Sequence, residues 1–476
     1  MNATPEYKDV WATVLYVICS LAYIYAIYRG FPAFLSNNSF APSNFYSNNS
    51  GPATLIAAIY PILVFIASST LLGLLWFLLM QSYPRQMIKL SYWSWCGLAI
   101  VAGVLFLIGG SIAPGVIFIV FGLLYAWAYV AIRSKIPFAS VMLELAASIT
   151  RQFPAMIFSG FVGMIISIIY QIVWFITLYG LIILILQNYP PINQPDGTQV
   201  MNPHATGYMI ASFVTLLFML FWTHEIIKNT IHVTCAGLYA TVYFTGTQEG
   251  DSLRFIVPVT NPTAKAARRA LTTSFGSICF GSLLIAILDL LRYLARSSKS
   301  GAARDGNFML MLICCCLECL LTCIRDILEY FNLYAFTQVA MYGKDYCDAG
   351  KSTMALIKDR GLQAVINDNL IHNVITIGGV IVGLIGAALG FLIIYLDGND
   401  FAYNSSTIAT YCVLGFVVNI NCFYVMMSVI ISGVATTFVC IAEDPGTMQR
   451  LKPELFERMA ESWPGINWGI HQPVSM

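Results

Sequence analysis

Apolar residues in this chain run in long unbroken blocks and not in amphipathic stripes. Blocks of 18 or more residues with few charges read as membrane-spanning helices, because about 20 residues of helix cross the hydrocarbon. The pattern predicts ten spans: 10–28, 53–80, 91–111, 115–132, 154–186, 207–226 with a continuation to 244, 270–291, 308–340, 370–396 and 408–441. The fold class is therefore all-α, a polytopic membrane protein with a cytoplasmic N-terminus at 1–9, a membrane domain at 10–441 and a cytoplasmic tail at 442–476. A transmembrane β-barrel is excluded, since its strands alternate apolar and polar positions over about ten residues. Several blocks exceed the span length and must tilt, break or project beyond the bilayer.

Composition agrees. Of 476 residues, 58 % are hydrophobic and 10 % charged, and mean hydropathy is +0.75. A soluble domain carries about 25 % charge, so a soluble enzyme and a disordered scaffold are ruled out. With a net charge of +1 no global field draws nucleic acid. Residues 1–8 lack the basic start and small-residue cleavage site of a signal peptide. None of the 13 cysteines falls in a segment expected outside, so no disulfide framework is implied.

Lysine and arginine set the orientation. With the N-terminus inside, only Arg29, Arg292, Arg296, Lys299 and Arg304 fall outside, Arg325 falls within a span, and the other eighteen cations are cytoplasmic, Lys228 among them. Both termini come out cytoplasmic. The outside loops 29–52 and 397–407 hold acceptor sequons at Asn37, Asn48 and Asn404, which marks them as glycosylation candidates. The segment 292–307 objects, because it places four cations on the outer side. Either the seventh span stops short of a full crossing, with 207–244 crossing twice to restore parity, or the loop is an exception.

The last span carries a family signal. Residues 430–445 read Ile-Ile-Ser-Gly-Val-Ala-Thr-Thr-Phe-Val-Cys-Ile-Ala-Glu-Asp-Pro, followed by Pro453-Glu454-Leu455. This resembles the C-terminal signature of the choline transporter-like family, in its fungal and protist branch. Trp222 to Asn229 with His232 to Gly237, the block 261–282, and Tyr330 to Gly343 are similar to further family blocks, so the resemblance covers about 53–460. It implies a ten-span plasma-membrane transporter of choline or a related amino-alcohol such as ethanolamine, with no cofactor. The first outside loop departs from the animal members: it has no cysteine and is short.

Ionisable groups inside a membrane are costly and mark function by default. Trp222, Glu225, Asn229, His232, Ala236, Tyr239 and Tyr243 follow one another at spacings of three and four, and so share one helical face. Glu318, Thr322, Arg325, Glu329, Asn332 and Phe336 do the same on the eighth span, where Arg325 and Glu329 stand one turn apart and can pair. Two such stripes are expected to face each other or a shared cavity. A quaternary ammonium has no donor, so it is recognised by aromatic faces and a carboxylate. Trp222, Tyr239, Tyr243, Tyr170 and Trp174 are the candidate faces and Glu225 the candidate charge, with Asn229 and His232 beside it. Glu318, Arg325, Glu329 and Asn332 are the candidate pathway or gating residues. His232 or Glu329 would carry a proton in proton-coupled transport.

Plainer readings stand beside these. Glu225 and Lys228 read equally as a wet helix end, the Arg325–Glu329 pair as a structural bridge, and a terminal tyrosine as an interface anchor. His224-Glu225 followed by Lys228 lacks the second histidine of a zinc motif, and Gly343 to Ser352 has the wrong spacing for a phosphate loop, so neither metal nor ATP is expected. Glu144, on the amphipathic segment 136–150, reads as a solvated charge in preference to a cytoplasmic gate residue. That segment and 352–365 are amphipathic enough to lie along the membrane or cap the pathway. The rival functions are transport of a different solute on the same fold and, with less support, an enzyme of lipid head-group metabolism. Oligomeric state has no sequence signal.

Overall fold

The computed structural model describes residues 6–36, 51–193, 199–249, 254–360, 363–396 and 405–462. Asn37, Asn48 and Asn404 lie outside the described residues. The chain is almost wholly helical: α1 Val10–Ser36, α2 Gly51–Ser82, α3 Pro84–Ile108, α4 Ile112–Ile132, α5 Ile136–Gln152, α6 Ala155–Asn188, α7 Pro203–Thr245, α8 Pro262–Leu271, α9 Phe275–Arg304, α10 Phe308–Tyr342, α11 Tyr346–Arg360, α12 Gln363–Leu396, α13 Ser405–Glu443, α14 Pro445–Leu451 and α15 Pro453–Ser462. Two short antiparallel pairs interrupt it, β1 Ile192–Asn193 with β2 Gln199–Val200, and β3 Thr247–Gln248 with β4 Phe255–Ile256. Among the described residues, ten helices are long and apolar enough to cross a membrane: α1, α2, α3, α4, α6, α7, α9, α10, α12 and α13.

Two details of the sequence reading change. The sixth block is one uninterrupted 43-residue helix, about 65 Å long at 1.5 Å per residue. Lys228 therefore lies well inside a long helix and not at a helix end. The segment 292–307 is not a loop either. Arg292, Arg296, Lys299 and Arg304 all sit on α9, and only Asp305–Asn307 join it to α10. A 30-residue helix rises about 45 Å, against a hydrocarbon thickness of about 30 Å, so it is long enough to cross and still project. Acids answer three of these cations: Asp289 lies 3.4 Å from Arg292, and Glu318 pairs with Lys299 and stands 3.9 Å from Arg296.

The chain divides into two compact units. The first comprises 1–55, 162–234 and 265–353, so it holds α1, most of α6 and α7, α9 and α10. Its helices approach closely where small residues meet, as membrane helices do. A Cβ on Gly180 of α6 would fall 2.1 Å from the carbonyl oxygen of Gly30 on α1, so this crossing requires glycine. Indole and phenol groups tie α6 to α7: Trp174 Nε1 donates to Leu216 O at 2.7 Å and Tyr170 OH to Met219 O at 3.0 Å.

The second unit comprises 56–161, 235–264 and 354–476. Its centre is the α12–α13 hairpin, where a Cβ on Gly415 would fall 2.2 Å from Gly386 O. Ser68 Oγ of α2 donates to Asn419 Oδ1 of α13 at 2.9 Å, a polar tie inside the apolar bundle. The amphipathic segment expected to lie along the membrane or cap the pathway, α5, is mostly buried: Phe138, Leu143, Leu145 and Ala146 are enclosed, and it packs on α3, α12, α13 and α15. Glu144 on α5 is bridged by Arg458 of α15 at 2.9 Å rather than merely solvated. Of the other amphipathic segment, residues 352–360 lie on α11 and 363–365 on α12, with 361–362 outside the described residues.

Candidate functional site

The charges of the first unit form an alternating ladder across α7, α10 and α9. Glu225 Oε1 lies 2.8 Å from Lys228 Nζ, one turn along α7. The same ammonium lies 2.8 Å from Glu329 Oε1 on α10. Glu329 pairs in turn with Arg325, whose Nε donates to Asp289 Oδ1 of α9 at 3.0 Å. Three acids thus alternate with Lys228, Arg325 and Arg292, and the row is balanced apart from Asp326, an exposed carboxylate 3.4 Å from Arg325. Balance is what a low-dielectric interior demands, because an uncompensated buried charge is expensive.

Exposure varies along the ladder. Glu225 is 4 % exposed and accepts from Asn229 Nδ2 at 3.5 Å, while that amide also donates to Ser282 Oγ of α9 at 2.9 Å. The Lys228 and Glu329 side chains are 32 % and 39 % exposed. His232 is buried one turn further along α7 and faces Leu333 O through Nε2 at 2.8 Å. Asn332 of α10 is buried beside it, donates to Gly281 O at 3.4 Å and accepts from the hydroxyl of Tyr346. Burial pushes the Tyr346 phenol up to about 12, so it stays a donor.

The two stripes therefore meet in part. Glu225, Asn229 and His232 share the neighbourhood of Arg325, Glu329 and Asn332. Glu318 lies apart, bound to Lys299 of α9. Trp222 is fully enclosed, with its indole donating to Cys279 O at 3.1 Å and its ring against Tyr16 and Phe218. Tyr170 and Trp174 commit their donors to α7 carbonyls, as above. Tyr239 and Tyr243 belong to the second unit: Tyr239 OH donates to Ala146 O at 2.7 Å and touches Thr150, and Tyr243 OH donates to Asp444 O at 2.8 Å.

Comparison with known proteins bears on the same residues. Residues 116–446 match the family model described as plasma-membrane choline transporter. That span holds the ladder. The chain belongs to the choline transporter-like family. A CTL-like protein of Dictyostelium discoideum is 32 % identical over 97 % of this chain and 76 % of its own length. Protein PNS1 of Mycosarcoma maydis is 33 % identical over 85 % of this chain and 74 % of its own. Protein PNS1 of Gibberella zeae is 30 % identical over 98 % and 84 %. The chain is thus a multi-pass membrane transporter.

In this choline transporter-like chain, three members of the site escape sequence reasoning. Asp289 is an acid inside the apolar run of α9, and the rule for intramembrane charges would find it. Lys228 stands three residues after Glu225 and reads locally as a helix-end charge. Asp9 has no local signal. Its carboxylate accepts from Ser277 Oγ of α9 at 2.7 Å and from the Tyr346 amide at the start of α11 at 2.8 Å, and it precedes α1. Helix starts carry partial positive charge, which a carboxylate compensates.

Proposed function

We propose that this protein carries choline or a related amino-alcohol cation such as ethanolamine across the plasma membrane, with both termini in the cytoplasm. The observation that carries this reading is the position of Lys228. Its ammonium stands between two carboxylates on different spanning helices, Glu225 and Glu329, at 2.8 Å from each. A pair of acids arranged around one monocation accommodates another monocation when the first withdraws. Lys228 is then a tethered surrogate for the substrate, and it keeps the ladder neutral while the site is empty. Asn229 orients Glu225, and Arg325 orients Glu329.

The membrane potential supplies the drive, since a monovalent cation entering a negative interior gains about 2.3 kcal/mol per 100 mV. Proton coupling through His232 or Glu329 is part of the proposal. Uptake of labelled choline in cells lacking other carriers tests it, with Glu329→Gln compared to the unaltered protein at equal surface amount. Loss of saturable uptake in the variant is expected. Absence of choline uptake by the unaltered protein would direct the fold to a different solute.

A further inference from the structure

The helix α8 carries Lys265, Arg268 and Arg269 and no acid. All three cations are exposed, while Ala266 and Ala270 are buried. Helical spacing sets the cations on an outer face and the alanines on an inner one. Leu271, the last residue of α8, is 60 % exposed. Only Thr272–Ser274 separate α8 from α9, which begins at Phe275 and is long enough to cross the membrane. Three residues span at most about 11 Å, so the basic face stands within reach of the membrane surface at this end of α9.

These cations differ from others of the first unit. Lys8, Lys228, Arg292, Arg296, Lys299, Arg325 and Lys351 each pair with an acid. Among the described residues neither Arg268 nor Arg269 makes an ion pair. The surrounding protein partly desolvates the Arg269 guanidinium, which lowers its pKa from the usual arginine value with no carboxylate to offset the loss.

We propose that α8 is a docking face for anionic phospholipid, whose phosphate-bearing head group lies across Arg268 and Arg269 with Leu271 at the acyl boundary. Charge complementarity selects this occupant. Two neighbouring guanidiniums offer paired donors that match phosphate oxygens, and each cation near a membrane surface is worth about fivefold in partition toward anionic lipid. An apolar residue beside the cations suits a lipid surface and has no role toward a soluble anion.

The test uses the full-length protein reconstituted in phosphatidylcholine vesicles with trace spin-labelled phosphatidylserine or phosphatidylcholine. Relative association with the protein is read from the motionally restricted fraction. Phosphatidylserine is expected to be preferred several-fold at about 0.1 M salt, and the preference to shrink at 1 M, where screening acts within about 3 Å. Arg268→Gln with Arg269→Gln should bring the preference close to one, while Arg268→Lys with Arg269→Lys should retain most of it. Lys351→Gln, at an exposed site already paired with Asp348, should leave it unchanged. Both arginines are exposed, so folding is expected to survive, and an unshifted thermal midpoint in detergent checks this. The idea is overturned if the double glutamine variant keeps the preference, if the unaltered protein has none, or if 10 mM inorganic phosphate displaces the lipid.

Discussion

Replacing Lys228 by methionine removes the cation shared by Glu225 and Glu329 and keeps an unbranched side chain one atom shorter. Glu225, 4 % exposed, is left with Asn229 at 3.5 Å as its donor. Breaking a buried pair by deleting one partner costs about 3–5 kcal/mol, and the half-open position of Lys228 puts the expected loss at about 3 kcal/mol. The ladder then carries one excess negative charge, which an arriving cation neutralises without displacing a lysine. Coupling between close opposite charges at an interface is worth about 1.5 kcal/mol or more, so apparent affinity for choline should rise at least about tenfold. Maximal uptake should fall, since release now leaves the site unbalanced. Concentration-dependent uptake and thermal stability in detergent measure the two effects. Adding Glu225→Gln to Lys228→Met should restore most of the stability, because a neutral pair replaces the ionic one. A raised KM in Lys228→Met, or unchanged stability, would refute the surrogate role.

Three further outcomes are expected. Glu225→Gln should weaken cation uptake without loss of surface protein, and wild-type kinetics in that variant would sink its assignment. Asp9→Ala should lower stability by about 1–2 kcal/mol, the usual worth of a lost helix cap, with Asp9→Asn intermediate in the same thermal assay; equal midpoints for all three proteins would contradict the clip at α1, α9 and α11. Lys452 donates to Val242 O at 3.0 Å and Tyr243 O at 2.7 Å, is buried, and has its pKa lowered to about 8 by desolvation. Its folded pKa lies below the ordinary lysine value, so docking of the tail bears a cost below pH 8 that is relieved as pH rises from about 8 to about 10.5. Protection of the tail from limited proteolysis should increase over that window, and Lys452→Met should abolish the trend; a slope retained in the variant would exclude Lys452 as its source.

The sequence by itself determined everything that depends on local periodicity and solvent preference. Blocks of apolar residues became ten long helices, because a backbone without water must bond to itself. The i, i+4 spacing of Arg325 and Glu329 became an ion pair, because one helical turn brings them together. Partners more than a few turns apart were decided only by the tertiary structure. The face of α7 that holds Glu225 also holds Tyr239 and Tyr243, yet these tyrosines bond to Ala146 and Asp444 in the second unit. Lys228 reaches Glu329, 101 residues away, and Arg325 reaches Asp289, 36 residues away. A helical stripe specifies which side chains point together but not which helix lies opposite. The choice of neighbour rests on close packing such as Gly30 against Gly180, and on the requirement that each buried charge find an opposite one.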